Sequence, residues 1–180
     1  ERVYLRTLRK RDAKEMAKLA KDKSISRWTT VPYPYKLKGA YEFVKYTQSK
    51  TRKGDSYELG VFLKETDEFI GMCGLVRIDK KANQAEIGYW TGKPYRKKGY
   101  TTEAARLIVK FGFEKLNLFR IESSHAPKNE GSKKIIKNNL GMKFEGVSRK
   151  SIINGLGQRN DRIQYGLLRS EYNKLKKKWH

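Results

Sequence analysis

Alternating hydrophobic and polar positions predict seven β-strands along the chain. In the first segment, apolar side chains such as Val3 and Leu5 recur at every second position, which is typical of a strand with one buried face. Short polar stretches, such as residues 65–68 and 154–158, separate neighbouring segments and predict hairpin turns. The predicted strands are residues 3–8, 57–64, 69–78, 85–90, 120–125, 143–153 and 159–168.

Apolar residues spaced three or four positions apart predict helices elsewhere. The predicted helices are residues 12–20, residues 39–53, a helix that follows Thr101, and residues 132–140. Asp12 is placed to cap the first helix and Gly141 to end the last. Residues 24–34 combine aromatic side chains with two prolines, which favours an ordered loop. The basic residues 174–178 are predicted to be a frayed helix end.

The order of these elements is β, α, α, β, β, β, α, β, α, β, β. It predicts an α/β fold with a mixed, predominantly antiparallel sheet and helices on both faces. A length of 180 residues suits one domain, and the sequence contains no repeat or linker. We therefore expect a single domain over residues 1–180.

The segment from Arg96 to Thr101 lies between a predicted strand and a predicted helix. A loop that leads into a helix points unpaired backbone N–H groups at the positive end of the helix dipole, where phosphate binds. Gly99 permits a positive φ and a close approach of a ligand, and Lys97 and Lys98 add charge. The same basic residues also suit a solvated turn, but the strand–loop–helix setting favours a phosphate site.

This segment resembles the signature of the GNAT superfamily of acetyl-CoA-dependent N-acetyltransferases, which is Arg or Gln, two residues, Gly, one residue, then Gly or Ala. The resemblance extends over nearly the whole chain and is strongest to the RimJ/RimL-like branch, the ribosomal-protein N-terminal acetyltransferases. The matching segments are Glu86-Ile87-Gly88-Tyr89-Trp90, Arg96 to Tyr100, Thr102-Glu103-Ala104, Arg120-Ile121-Glu122, Asn129-Glu130-Gly131-Ser132 and Leu140-Gly141-Met142.

The resemblance implies a GNAT acyl-CoA N-acyltransferase fold, in which the fourth and fifth strands splay apart around the pantetheine arm of acetyl-CoA. It also implies that Asn129 hydrogen-bonds that arm and that Ser132 lies near the CoA sulfur, although both residue types also cap helices. Backbone N–H groups near Trp90 and Thr91 would polarise the carbonyl. The implied cofactor-binding residues are Trp90, Thr91, Arg96, Lys97, Lys98, Gly99, Tyr100, Thr101, Asn129 and Ser132.

Attack of an amine on a thioester requires that the amine be neutral. An N-terminal α-amine has a pKa of about 7.7–8.0, against about 10.4 for lysine, so it needs only a modest base. Glu122 and Glu86, one on each strand that would flank the wedge, are the candidate bases, and the resembling branch often has a Glu at the Glu122 position. Each carboxylate is equally suited to an ion pair with a nearby cation.

Three features depart from the family pattern. Residues 135–137 read Ile-Ile-Lys where many relatives carry a proton-donating Tyr, which leaves Ser132 or water to protonate the thiolate, and Ser132 is therefore counted with the catalytic candidates. Thr101 replaces the second glycine of the signature, and its Cβ crowds the approach of a phosphate while its hydroxyl can donate to one. The segment 129–141 is one residue longer than usual, which shifts the register of its helix.

The acceptor is less clearly indicated than the cofactor. Trp28, Tyr33 and Tyr35 resemble the aromatic substrate loop of the family, although such a cluster is also typical of a core. A formal charge of +23, from 42 basic and 19 acidic residues, attracts nucleic acid or acidic protein and repels polycations, and general lysine-rich surfaces offer a plainer explanation. We expect transfer to the N-terminus of a protein, and the net charge and the family resemblance favour a ribosome-associated one. The alternatives are a GNAT enzyme for a polyamine or aminoglycoside, and a non-catalytic nucleic-acid-binding protein on the same fold.

The cysteine and histidine counts predict an enzyme that uses no metal and works in a reducing compartment. The single Cys73 excludes an intrachain disulfide, and two histidines with one cysteine give no metal constellation. His125 and His180 are not expected to be catalytic. No apolar run reaches the length of a membrane span, so we expect a cytoplasmic protein, as a monomer or homodimer, with no membrane partner.

Overall fold

The structure is a computed structural model that describes residues 1–179, and a seven-stranded sheet runs through its centre. His180 lies outside the described residues. The strands are β1 (Val3–Arg6), β2 (Tyr57–Leu63), β3 (Phe69–Asp79), β4 (Gln84–Thr91), β5 (Arg120–His125), β6 (Lys143–Ile153) and β7 (Arg159–Leu168). Their spatial order is β1-β2-β3-β4-β5-β7-β6, and every neighbouring pair is antiparallel except β4 and β5. The predicted mixed, predominantly antiparallel sheet is confirmed.

Helices cover both faces of this sheet. They are α1 (Ala13–Ala20), α2 (Lys23–Trp28), α3 (Leu37–Lys53), α4 (Tyr100–Glu114), α5 (Glu130–Lys133), a π-helix (Lys134–Asn139) and α6 (Arg169–Leu175). Single 3₁₀ turns occupy Lys10–Asp12, Lys93–Tyr95 and Lys176–Lys178.

Alternation along β3 divides the hydrophobic core between the two faces. Phe69 and Met72 belong to a cluster with α1 and α3, whereas Ile70 and Leu75 belong to a second cluster with α4 and α6. Consecutive side chains of a strand point to opposite faces, and a bulge at Ile70, opposite Val61 and Phe62, interrupts the alternation once. One apolar strand thus anchors both helical layers. The position of α4, and with it of the loop before α4, therefore follows from the second cluster.

One loop prediction was wrong, and the helix that precedes the predicted frayed end was missed. The stretch 24–34, predicted as a loop, begins with α2, whose first turn is capped by the Asp22 carboxylate accepting a hydrogen bond from the Ser24 N–H at 2.8 Å. Near the C-terminus, where the sequence indicated only a frayed end, α6 forms a regular helix over Arg169–Leu175. Short helices of this kind carry too few apolar repeats to stand out in a sequence, and tertiary packing stabilises them.

The helix predicted at residues 132–140 begins earlier and contains an irregular turn. After α5 the chain widens into the π-helix, in which the Leu140 N–H donates to the Ile135 carbonyl, five residues back, at 2.9 Å. A π-helical turn accommodates one more residue than an α-helical turn. The extra residue noted in this segment is thereby absorbed while Ile136 stays fully buried.

The packing of α4 on α6 yields a stability prediction. Phe113 is 1% exposed, and its ring stacks on Tyr172 of α6 with centroids 4.8 Å apart. Phe113→Ala should lower the free energy of unfolding by roughly 3–5 kcal/mol, because it removes buried apolar area and leaves a cavity. Urea denaturation checks this, with Lys110→Ala on the exposed face of α4 as the matched control. Equal stability of the two variants would contradict the packing role of Phe113.

Candidate active site

The strands β4 and β5 pair at one end and then separate. Their parallel register runs from Gln84 opposite Arg120 to Glu86 opposite Glu122, and no further pair joins them within residues 1–179. The last link across the gap is a hydrogen bond of 3.4 Å from the Ser123 hydroxyl to the Ile87 carbonyl. The splay that the family resemblance implies is therefore present, and it starts at Glu86 and Glu122.

Two connected cavities open at this fork. The larger, called the α4 cavity, has a volume of about 590 Å³ and lies among Thr91, Gly99 and Ile135. The smaller, called the β2 cavity, has a volume of about 350 Å³ and lies over Glu58, Gly74 and Gly88. The residues that line both are Trp28, Thr29, Tyr89, Trp90, Asn129 and Ser132. A ligand in one cavity can thus meet a ligand in the other at the end of β4.

The loop before α4 has the backbone geometry that the sequence predicted. Gly99 adopts φ +87° and Lys97 φ +62°, both in the left-handed region. The Gly99 carbonyl accepts the N–H groups of Thr102 and Glu103 at 3.0 and 3.1 Å, so the helix begins directly after the glycine. The N–H groups that precede these, those of Gly99, Tyr100 and Thr101, have no intrahelical acceptor and lie at the positive end of the dipole.

The lining of the α4 cavity is basic. Its charged residues are Arg96, Lys97 and Lys134, and no acidic side chain is among the described residues that line it. Arg96 also has a structural role, because its guanidinium donates to the Thr91 carbonyl at 2.9 Å and to the Ser24 hydroxyl at 2.7 Å. These bonds tie the end of β4 to α2. The cavity therefore combines a fixed positive charge with a helix start, which suits an anionic ligand.

All but two of the predicted cofactor-binding residues line the α4 cavity. Those in the lining are Trp90, Thr91, Arg96, Lys97, Gly99, Thr101, Asn129 and Ser132. The other two, Lys98 and Tyr100, contact Arg2 instead. The Arg2 guanidinium donates to the Lys98 carbonyl at 2.7 Å and lies 4.7 Å from the centre of the Tyr100 ring. The Thr101 hydroxyl, expected to be available to a phosphate, is 2.7 Å from the Thr91 hydroxyl.

Three polar side chains meet at the junction of the cavities. The side-chain oxygen of Asn129 accepts a hydrogen bond from the Ser132 backbone N–H at 3.2 Å. The side-chain NH₂ group of Asn129 donates to the Ser132 hydroxyl oxygen at 3.1 Å. The capping role that the sequence allowed is thus present, and it leaves the Ser132 hydroxyl proton available. The Tyr89 hydroxyl is buried without a hydrogen-bond partner among the described residues, and burial raises its pKa. Both hydroxyls can therefore donate to a ligand at the junction.

The floor of the β2 cavity is a row of small residues on the sheet. Glu58 lies opposite Gly74, and Gly74 lies opposite Gly88, so the row crosses β2, β3 and β4. A Cβ built on Gly88 would meet nothing within 4 Å, which shows that the space above it is open. Of the predicted substrate-binding aromatics, Trp28 and Tyr35 line this cavity, whereas Tyr33 is 46% exposed and lies outside its lining.

The two carboxylates predicted as bases occupy different surroundings. Glu86 lines the β2 cavity but is ion-paired on both oxygens, with Arg162 at 2.5 Å and Arg77 at 2.7 Å. Glu122 lies 3.3 Å from Arg120, is 35% exposed and is not among the residues lining either cavity. Assignment of the base to either residue stays a prediction.

Glu58 and the proton-donating role open to Tyr89 were not predicted from the sequence. Glu58 lines the β2 cavity, and burial raises its pKa, with the Ser56 hydroxyl opposing this in part. A signal was present, since Glu58 shares one face of β2 with the buried Phe62, where a charged side chain is unexpected. Tyr89 gave no comparable signal, because an aromatic residue in an apolar strand is ordinary.

Other chemistry is not indicated within residues 1–179. These residues contain no group of three or more His, Cys, Asp or Glu side chains that could hold a metal ion. His125 stacks on Tyr165 with ring centroids 5.5 Å apart, as expected for a histidine in the core. Across the same residues, no helix has both the length and the apolar character that a membrane crossing requires.

Comparison with known proteins agrees with this geometry. A family model described as an acetyltransferase (GNAT) domain matches residues 2–143. The uncharacterized N-acetyltransferase p20 of Bacillus licheniformis is 31% identical over 96% of both chains. A Bacillus subtilis protein provisionally named a ribosomal N-acetyltransferase, YdaF, is 27% identical over 96% of this chain and 94% of its own. The spermidine N(1)-acetyltransferase of Escherichia coli is 30% identical over 85% of this chain and 80% of its own.

Solved structures extend the likeness to the whole fold. Mycobacterium smegmatis RimJ, solved in complex with CoA-disulfide, superposes with a TM-score of 0.83 at 21% identity, covering 94% of this chain and 83% of its own. At that identity the likeness concerns the fold alone.

The ion pairs of Glu86 yield a second stability prediction. The side chains of Glu86 and Arg162 are 13% and 14% exposed. Glu86→Gln therefore leaves the Arg162 guanidinium largely buried and without its carboxylate partner. The free energy of unfolding should fall by roughly 3 kcal/mol. Glu122→Gln, at a more exposed pair, should change it by less than about 1 kcal/mol. Chemical denaturation of the two variants measures the difference, and a stable Glu86→Gln protein would show that the pairs do not hold the fork.

Proposed function

Because the chain belongs to the GNAT acetyltransferase family, we propose that it transfers the acetyl group of acetyl-CoA to the N-terminal α-amine of a protein. The observation that carries the proposal is the pair of joined cavities at the fork of β4 and β5, one basic and one holding carboxylates. The basic cavity suits the anionic cofactor. The other suits an amine.

The residues of the α4 cavity fit acetyl-CoA. The main-chain N–H groups at the start of α4, with the left-handed Gly99 beneath them, would hold the pyrophosphate. Arg96, Lys97 and Lys134 would supply positive charge. Asn129 lies where the pantetheine arm would pass on the way to the fork.

Acetyl-CoA supplies an acetyl group already activated as a thioester. Beyond the fork, the edge of β4 that faces β5 has no partner strand, so the backbone N–H of Thr91 is available to polarise the carbonyl, whereas that of Trp90 points to β3. The hydroxyls of Ser132 and Tyr89, which line both cavities, are placed to donate to the departing sulfur. The chain would thus bind, orient and protonate at named atoms without a metal.

Two arguments favour a protein N-terminus as the acceptor. An α-amine is neutral at lower pH than a lysine amine, by about 2.5 pKa units, so a single weak base suffices. The net charge of +23 favours an acidic partner or one bound to RNA, and the provisional name of YdaF refers to the ribosome. Cytoplasmic location and a monomeric or homodimeric state remain predictions.

A polyamine is the second candidate acceptor. It is favoured by the likeness to a spermidine N(1)-acetyltransferase and by two carboxylates, Glu58 and Glu86, in the β2 cavity. The overall positive field opposes it, since a polycation must approach against repulsion.

An assay of thiol release with a panel of amines tests the proposal. With acetyl-CoA, peptides that begin with Ala, Ser, Thr or Met should release free CoA at least tenfold faster than spermidine at equal concentration, because the α-amine is more readily neutral. Mass spectrometry should place the added acetyl group on the first residue, and N-blocked peptides serve as controls. Faster turnover of spermidine would transfer the function to polyamines, and no thiol release with any amine would refute an acetyltransferase activity.

The phosphate-binding loop yields a separate prediction. Gly99→Val should weaken binding of CoA at least tenfold, because a β-branched residue resists φ +87° and covers the backbone N–H groups. Isothermal titration calorimetry with CoA measures this without any acceptor. Gly54→Val is the matched control, since Gly54 has a similar φ of +68° at the end of α3, outside both cavities. Equal loss of affinity in the two variants would indicate a general loss of structure.

A further inference from the structure

Three carboxylates lie near the fork, and they differ in their ion-pair partners. Glu86 is held between two arginines, and Glu122 lies beside Arg120 outside both cavities. Glu58 lines the β2 cavity and forms no ion pair within residues 1–179. A carboxylate that is neither paired nor exposed is unusual, because desolvation without a partner is unfavourable.

Glu58 lies in the same row of paired residues as Gly88, which is next to the place where the thioester would lie. Glu58, Gly74 and Gly88 are successive partners across β2, β3 and β4, and neighbouring strands are about 4.8 Å apart, so β2 lies about 10 Å from β4. Neither glycine has a side chain to fill that distance. At that separation the Glu58 carboxylate is too far from an amine above Gly88 for a direct hydrogen bond, so one bridging water is the shortest connection between them.

From this geometry we propose that Glu58 is the general base of the reaction, which accepts the proton of the acceptor amine through one bridging water. This inference rests on the proposed function. It assigns the base to a residue on β2, instead of the strands that form the fork.

The proposed step balances as follows. The amine nitrogen forms a C–N bond to the acetyl carbon while the C–S bond of the thioester breaks. The nitrogen loses a proton to the water, which passes one to the Glu58 carboxylate. The sulfur leaves with the bonding electron pair and takes a proton from the Ser132 or Tyr89 hydroxyl or from water. Solvent then takes the proton from Glu58 and returns one to the hydroxyl, and the products are an amide and free CoA thiol.

The surroundings of Glu58 favour a stronger base than an exposed glutamate would be. Burial raises the pKa of Glu58 above the usual value of about 4.3 for glutamate. The other titratable groups that line the cavity are Arg77, Glu86, Tyr35, Tyr89 and Cys73. Arg77 is engaged by Glu86, burial keeps the two tyrosines and the cysteine neutral, and Lys50 of the adjoining α3 is paired with Asp55.

Kinetics of Glu58→Gln give the first test, using the fastest peptide of the acceptor panel. The variant should lose at least about 100-fold in kcat/KM while its Kd for CoA, measured by calorimetry, stays within twofold of the wild type. The wild-type kcat should rise with pH through the pKa of Glu58, and this limb should be missing from the variant. Glu65→Gln, in the exposed turn between β2 and β3, is the matched control.

Stability against pH gives a second test that needs neither acceptor nor cofactor. A carboxyl whose pKa is raised in the folded state stabilises the protein below its unfolded pKa and loses that contribution as pH rises through its folded pKa. Glutamine does not titrate. The urea midpoint of Glu58→Gln should therefore move above that of the wild type as pH rises from about 4.3, and the gap should level off once Glu58 is ionised.

The two tests separate the inference from the proposed function. If the wild type releases thiol but Glu58→Gln keeps more than half of its kcat/KM with an unchanged pH profile, the assignment of the base is overturned and the proposed function stands. Loss of activity together with loss of CoA affinity, or parallel midpoints of the two proteins at all pH values, overturns the assignment as well. A wild-type protein that acetylates no amine overturns both.

Discussion

The parting of β4 and β5 is the constraint on which the site depends. A parallel pair in mid-sheet normally continues its hydrogen bonds to the strand ends, and here it stops at Glu86 and Glu122. Arg162 of β7 keeps the opened sheet together, because its guanidinium contacts Glu86 of β4 and, at 3.0 Å, the Ser124 hydroxyl of β5. One side chain thus links the two strands that have ceased to pair, and the gap beyond it is available for a ligand.

The two sides of the fork differ in charge, and only one of them shares the positive charge of the molecule as a whole. The surface carries a large positive excess, and the α4 cavity continues it. In the β2 cavity the described lining holds two carboxylates and one arginine. An anionic ligand and a cationic one would therefore be attracted to opposite sides of one strand end, where Trp90 lines both cavities.

The sequence predicted most of the fold and only part of the site. The strands 120–125, 143–153 and 159–168 agree with the structure to the residue, since alternation and turn residues are local signals. The left-handed Gly99 was predicted for the same reason. Glu58 could not be placed, because it meets the site only through the register of three strands, and nothing local reports that Gly74 and Gly88 lie beside it.

The π-helical turn has a consequence for the wall of the α4 cavity. Each residue of a helix turns its side chain by about 100° around the axis, so one added residue decides which side chains face inward. With the wider turn, Ile136 enters the core while Ile135 and Asn139 border the cavity, and the Asn139 amide donates to the Thr102 hydroxyl of α4 at 2.8 Å. This hydrogen bond fixes the segment that begins with Asn129 against the helix whose first turn borders the α4 cavity, so the two walls of that cavity are held at one spacing.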